Sequence, residues 1–430
     1  MAERPLAAVL TLGCKLNLAD SEEIARGLRA AGFDVVDRPC EADAYVVNTC
    51  SVTHVADQKS RRLIRSVRRL APGAAVAVTG CHPQSAGFDA VRATGADFVI
   101  GTRDQDKAEL VAFLRERQVK GLKTQDSGLP RRSLHTRAFI KAQEGCNDVC
   151  AFCIVPQTRG REESRSIAAV AAEVRRAEEA GAQEVVITGT QLGAWGRDLD
   201  PALKPHDLIG ALLAGTEVSR IRFSSLQPQD ITPELLALWE DPRLMPHFHL
   251  ALQSGSEDIL RAMRRRYTAD AFLRAAERIR AAVPAVAITT DVIAGFPGET
   301  ERDFADTLAI CRAVGFARLH CFPYSQRART AAARMPGQVD PAVRRERMAR
   351  LLTLGEELSL AFREGAEGCV RPVLWETERP LDGAPASSGH TDNYIPVAMP
   401  GTGLRNRITP VRIGAPEGDG VRGAPAGLPR

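Results

Sequence analysis

Residues 144–166 read EGCNDVCAFCIVPQTRGREESRS. Cys146, Cys150 and Cys153 stand in the pattern C-x3-C-x2-C, followed by a proline and a basic stretch. Soft thiolates select iron–sulfur clusters or zinc. A structural zinc site takes four ligands, and this stretch supplies only three cysteines; the nearest histidines, His135 and His206, stand at no ligand spacing. A cubane held by three cysteines leaves one iron open, and an open iron can bind a small molecule and deliver an electron to it. A loop of reactive or zinc-bound thiols is the competing reading.

Outward from this stretch the chain alternates strand and helix patterns. Strand candidates are AFIKA (138–142), EVVITG (184–189), RIRFSS (220–225), HFHLALQ (247–253), VAITTDVIAGF (286–296) and RLHCFPYS (318–325), with helical patterns such as 166–180 and 301–314 between them. Six βα units predict an open, partial barrel rather than a closed eight-unit one, with its functional edge at the strand carboxyl ends. Those ends carry Gly189 and Thr190, Ser224 and Ser225, Gln253 and Ser254, then Asp291 and Gly295. One Gly-rich strand end is usually only a turn. Several in order at one edge read as backbone approaching a ligand.

The first hundred residues repeat the logic. AAVLTLGC (7–14), DAYVVNTC (43–50), AAVAVTGC (74–81) and DFVIGT (97–102) predict parallel strands, with a helix over 20–31 capped by Asp20 and a basic helix ending near Leu70. Cys14, Cys50 and Cys81 each fall just after a strand, hence at the carboxyl edge where open α/β sheets bind ligands. A second triad of thiols predicts a second cluster with an open iron; three unrelated buried cysteines are the alternative.

The polar, aperiodic stretch 121–137 predicts a linker, placed at 126–137 between a first domain (1–125) and a second (138–365). From 366 the runs CVRPVLWE, YIPVAM and NRITPVRI predict a small β-barrel (366–415). The Gly/Pro-rich end, 416–430, reads as disordered.

Net charge is only +4, so nucleic-acid binding has to be argued from local clusters. Lys59, Arg61, Arg62, Arg65 and Arg68 lie on the helix after Cys50, with further charge at 131–132 and 264–266. A solvated face is the competing reading, and Tyr394 reads as a base-stacking ring or as core. The amino-terminal residues lack a signal-peptide pattern and no long apolar run occurs. These features predict a cytoplasmic protein with no membrane partner. Ten cysteines in a reducing compartment then read as metal ligands and buried thiols, Cys311 and Cys321 among the latter.

TLGCKLN, VVNTCSVTHVADQKSR, VTGCHPQ, the 144–166 stretch, LQSGSEDILRAMRRRYT, FPYSQRARTAAARMPGQV and GHTDNYIPV occur in that order. Over residues 6–413 they resemble the radical S-adenosylmethionine (SAM) methylthiotransferases. The resemblance implies an α/β fold: an N-terminal open parallel domain, a partial (β/α)6 radical SAM barrel and a C-terminal RNA-binding TRAM barrel. It implies two 4Fe-4S clusters, one on Cys14, Cys50 and Cys81 and one on Cys146, Cys150 and Cys153. SAM would be bound beside Phe152 at the strand ends named above. It further implies tRNA as partner, not DNA, and an electron donor such as flavodoxin. TLGCKLN, with Lys15 after its cysteine, together with the VNTCSVTHVADQKSR stretch, most resembles the branch acting on N6-threonylcarbamoyladenosine. The branches acting on isopentenyladenosine or on a ribosomal protein are alternatives, as is a zinc-stabilised RNA-binding protein without catalysis. Gln191 and Gln227 depart from the His and Glu common in relatives.

Overall fold

The strands Ala44–Thr49 and Ala75–Gly80 are buried along their whole length, the pattern of parallel strands covered on both faces by helices. In the computed structural model, which describes residues 4–118 and 136–426, they lie inside a five-stranded parallel sheet. Its order is Asp34–Val36, Leu6–Thr11, Ala44–Thr49, Ala75–Gly80, Phe98–Val99. Ile24 and Leu28 of helix Lys15–Ala30, with Leu110 and Leu114 of helix Asp104–Gln118, pack on one face. Ile64 and Val67 of helix His54–Leu70 pack on the other. The chain reverses direction across the sheet between Leu6–Thr11 and Ala44–Thr49, and at such a switch point a crevice opens outside the strand carboxyl ends.

The first helix starts at Lys15 with Cys14 at its N-cap position, so Asp20 is interior rather than a cap. Asp20 is buried and paired with Lys107 (2.8 Å), Arg159 (3.1 Å) and Lys141 (3.2 Å). The short edge strand Asp34–Val36 was not anticipated, because three residues carry no readable period.

The six predicted strands of the second domain are present as Arg137–Lys141, Glu184–Thr188, Arg220–Phe223, His247–His249, Ala287–Ala294 and Arg318–Pro323. They form two parallel three-stranded sheets in chain order. Parallel bridges at Ile221–Leu244 and Leu226–Leu250 join the two into one curved wall. Helix Ile167–Glu179 is capped by Ser166, and helix Glu301–Val314 by Thr300 with Asp303 in a capping box. Most of the proposed linker, residues 126–135, lies outside the described residues.

The C-terminal strands Val370–Leu381, Ala384–Thr391, Pro396–Pro400, Ile408–Glu417 and Gly420–Pro425 close into a barrel. The expectation of a disordered end from 416 is therefore wrong through Pro425. Gly420–Pro425 pairs with two neighbours and buries Val421 in the barrel core; its Gly/Pro content marks a hairpin instead. The turn after Thr391 enters the amino-terminal mouth of the six-stranded wall. There Tyr394 accepts a 2.6 Å bond from Arg137, and its ring lies 4.2 Å from the Arg222 guanidinium and 4.8 Å from the His247 ring. Of the two readings of Tyr394, packing is the one realised. Among the described residues no helix is long and apolar enough to cross a membrane.

Candidate active site

The loop carrying Cys146, Cys150 and Cys153 follows the first barrel strand. Gly145, at φ +71°, lets it fold back tightly on Arg161, and the Cys146 N–H bonds Gly160 O at 3.1 Å. Cys146 Sγ donates to Gln191 Oε1 at 3.2 Å. Cys150 Sγ accepts from Arg265 at 3.2 Å, and Cys153 Sγ accepts from the Val155 N–H at 3.4 Å. Burial pushes the Cys146 thiol up to about 11 and Cys153 to about 12, whereas a bound iron centre holds its cysteines as thiolates. Arg265 belongs to the basic run 264–266, expected on the RNA side. It is instead committed to Cys150 and to Tyr267, and Arg266 pairs with Asp148 at 3.1 Å.

The strand-end residues divide by role. Thr190 Oγ1 and Ser224 Oγ are buried without a hydrogen-bond partner. Buried polar atoms are nearly always bonded, so two orphaned hydroxyls at consecutive strand ends fit a polar ligand such as SAM. Gly189 and Ser225 beside them are half-buried. The ring of Phe152 meets that of Phe296 edge-on at 6.5 Å and is partly open. Asp291 pairs with His249 at 3.3 Å, and Gln253, at φ +65°, exchanges backbone bonds with Asp291 and Ile293. Two residues do other work. Ser254 latches onto Thr307 and the Ser256 N–H. The space over Gly295 is filled by the Arg344 side chain. Both were expected at the cofactor; both serve packing between elements.

Cys14, Cys50 and Cys81 gather at the switch-point edge of the first sheet. A Cβ on Gly13 would stand 3.0 Å from Cys50 Cβ, so the turn before Cys14 lies against Cys50. Burial, together with the nearby Cys81 and Cys14, pushes the Cys50 thiol to about 11. Cys14 donates to Asn17 Oδ1 at 3.3 Å, and Arg159 donates to the same oxygen at 3.2 Å. Arg159 also faces Cys81 and pairs with Glu144 at 2.6 Å. It follows Cys153 by six residues, so one buried guanidinium ties the first triad to the loop that carries the second. Among the described residues no three His, Cys, Asp or Glu side chains stand close enough to share one ion. A cubane gives each thiolate its own iron, so its ligands spread wider than those of zinc.

A second buried network fixes the same edge. Asp57 accepts from Ser51 (2.6 Å), His82 (2.9 Å) and Arg327 (2.5 Å). Ser51 and His82 directly follow Cys50 and Cys81, and Arg327 comes from the loop after the last barrel strand. Burial raises the Asp57 carboxyl, but the bonds from His82, Ser51 and Arg327 outweigh it and hold the group at about 2.

Of the basic helix, Lys59, Arg62 and Arg65 are exposed and Arg61 is half-buried. Arg68 departs from the expected phosphate-facing role. It bonds the carbonyls of Gly95, Pro72 and Ala74 and pairs with Asp97 at 2.6 Å.

Charged and ring side chains that the sequence left without a role stand on the barrel strands, and Lys15 of the first helix feels their charge. Arg222 forks onto Glu184 with two bonds of 3.0 Å, and Arg137 pairs with Glu376 at 2.7 Å. Burial, with His249 adding to it, lowers the His320 ring to about 4. Burial, then Arg222 and Arg137, lowers Lys15 to about 8. The one available signal was charge inside apolar strand runs, as in RIRF and HFH.

Residues 7–101 match the uncharacterized protein family UPF0004, and residues 140–311 the radical SAM superfamily. The threonylcarbamoyladenosine tRNA methylthiotransferase MtaB of Bacillus subtilis is 36% identical over 94% of this chain and 92% of its own length. A tRNA-2-methylthio-N(6)-dimethylallyladenosine synthase of Acidothermus cellulolyticus is 39% identical over 85% of this chain and 76% of its own. Among solved structures, the radical SAM methyltransferase TsrM of Kitasatospora setae, with cobalamin and a 4Fe-4S cluster bound, superposes with a TM-score of 0.56. It is 14% identical over 89% of this chain and 82% of that one, a likeness of fold. By its relatives along nearly its whole length, the chain belongs to the radical SAM tRNA methylthiotransferase family.

Proposed function

We propose that this enzyme converts N6-threonylcarbamoyladenosine in tRNA to its 2-methylthio derivative. The observation that carries the reading is the pair of thiol triads at two strand-end edges, with Arg159 of the second triad's loop set against Asn17 and Cys81 of the first. Cys146, Cys150 and Cys153 hold one 4Fe-4S cluster, and Cys14, Cys50 and Cys81 the other. When bound, the clusters and SAM supply a 5′-deoxyadenosyl radical for the adenine C2–H bond and a methylated sulfur to replace that hydrogen. Arg265 and Gln191 flank the first cluster's thiols. Thr190 and Ser224 would offer hydroxyls to the cofactor, and the partly open ring of Phe152 would pack against it. Lys59, Arg62 and Arg65 track tRNA phosphates from the switch-point side. The closed C-terminal barrel acts as a TRAM domain, holding tRNA by shape and backbone. The reaction takes place in the cytoplasm with electrons from a donor such as flavodoxin.

The choice of nucleoside follows the relative matched over 94% of the chain. The dimethylallyladenosine synthases, 39–40% identical over shorter spans, support a second reading. Incubating reconstituted enzyme with SAM, dithionite and tRNA bearing either nucleoside, followed by nucleoside mass spectrometry, separates them. Methylthiolation of the threonylcarbamoyl substrate is expected; modification of only the dimethylallyl substrate contradicts the proposal.

A further inference from the structure

We propose that Lys15 determines substrate specificity by receiving the carboxylate of the threonylcarbamoyl group, an inference that rests on the substrate reading above. Lys15 opens the helix Lys15–Ala30, immediately after Cys14. Arg137, Glu184, Arg222 and Asp291 act electrostatically on it, and it acts in turn on His247 and His320. These six residues come one from each of the six barrel strands. A point within electrostatic reach of every strand in a curved wall lies on the wall's concave side. The Lys15 side chain therefore reaches from the first domain into the barrel, next to a cysteine of the first triad.

The carboxylates of this interior already have partners. Glu184 holds Arg222, Glu376 holds Arg137, and Asp291 faces His249 at 3.3 Å. Lys15 has no acceptor within hydrogen-bond or ion-pair distance among the described residues. A half-buried ammonium in the field of two guanidinium groups is costly until an anion joins it. A second unmet group stands in the same space: His247 Nδ1 is buried without a partner. Two carboxylates reach an active site of this kind, that of the cofactor's methionyl group and that of the substrate's threonyl group. The cofactor's polar end is accounted for near Cys146, with the orphaned Thr190 and Ser224 hydroxyls at the neighbouring strand ends. This leaves the nucleoside's carboxylate for Lys15. A dimethylallyl substituent has no anion to offer it.

The test compares two synthetic anticodon stem-loops, one bearing N6-threonylcarbamoyladenosine and one bearing its methyl ester. Holoenzyme is assayed as wild type, Lys15→Gln and Lys15→Arg. The ratio of kcat/KM for acid over ester is internal to each preparation, so differences in cluster loading cancel. Wild type is expected to favour the acid by about 30-fold or more, the scale of a desolvated charge pair. Lys15→Arg should keep most of that preference and Lys15→Gln should reduce it to about 3-fold or less. If a variant does not turn over, equilibrium binding of the two stem-loops gives the same ratio. A Lys15→Gln enzyme with the wild-type preference overturns the proposal. So does a raised KM for SAM in tRNA-free 5′-deoxyadenosine formation with the preference intact, which assigns Lys15 to the cofactor. A wild type inactive on the acid stem-loop contradicts the substrate reading itself and takes the role of Lys15 with it.

Discussion

Replacing Asp57 with Ala removes the carboxylate on which Ser51, His82 and Arg327 converge. Arg327 is only 4% exposed, so its charge is left in the interface between the two domains without a counter-ion. Breaking one side of a buried pair costs about 3–5 kcal/mol. With a urea slope of ~2 kcal/mol per M, the first unfolding midpoint should fall by about 1.5–2.5 M. Arg327→Met alone should cost less, because Asp57 keeps His82 and Ser51. The double variant removes both charges, so its loss should fall short of the sum of the single losses by at least about 2 kcal/mol. Urea titrations of all four proteins, followed by circular dichroism under anaerobic conditions, give the cycle. Additivity within about 0.5 kcal/mol would refute the view that this pair locks the strand-end loops of Cys50 and Cys81 to the barrel.

Other outcomes follow from the same geometry. The Asp57 carboxyl lies at about 2 instead of its ordinary 3.8, so its contribution is complete above the ordinary value and lost as pH falls through about 2. In cluster-free protein the stability gap between wild type and Asp57→Asn should be flat near neutral pH and shrink below about pH 4. Gly80→Ala should lose the Cys14, Cys50 and Cys81 cluster while keeping the other, read as roughly half the iron by cluster counting. Gly80 sits at φ +98°, and a Cβ there would stand 2.6 Å from Asn48 Oδ1 and from the Thr49 nitrogen; full iron content contradicts this. Reversing Lys59, Arg62 and Arg65 to Glu should weaken tRNA binding and flatten its salt dependence by up to about 3 units of slope. Arg68→Glu should lower the melting temperature instead, and an unchanged salt slope in the triple variant means a solvated face.

Much of the architecture was legible because long elements carry strong periods. The helix Glu301–Val314 and the six barrel strands stand where apolar patterning put them. The three strand-end cysteines of the first domain converge because parallel topology brings successive carboxyl ends to one edge. What escaped was decided by partners distant in sequence. Asp20 looked like a cap because nothing local reveals Lys107, Lys141 and Arg159 around it. Arg265 looked like phosphate-binding charge because its thiol partner lies 115 residues away. Tyr394 looked open to a base, yet its place is set by Arg137 and Arg222 from another domain. The strand Gly420–Pro425 was hidden by composition, since closing a barrel needs one buried Val421 more than an apolar run.

The division of one reaction between two cysteine triads is tested by replacing Cys14, Cys50 and Cys81 together with Ala and following both products by mass spectrometry. The variant, given dithionite, SAM and the tRNA substrate, is predicted to keep forming 5′-deoxyadenosine from SAM while making no methylthiolated nucleoside. Methylthiolated nucleoside at the wild-type rate would contradict the account.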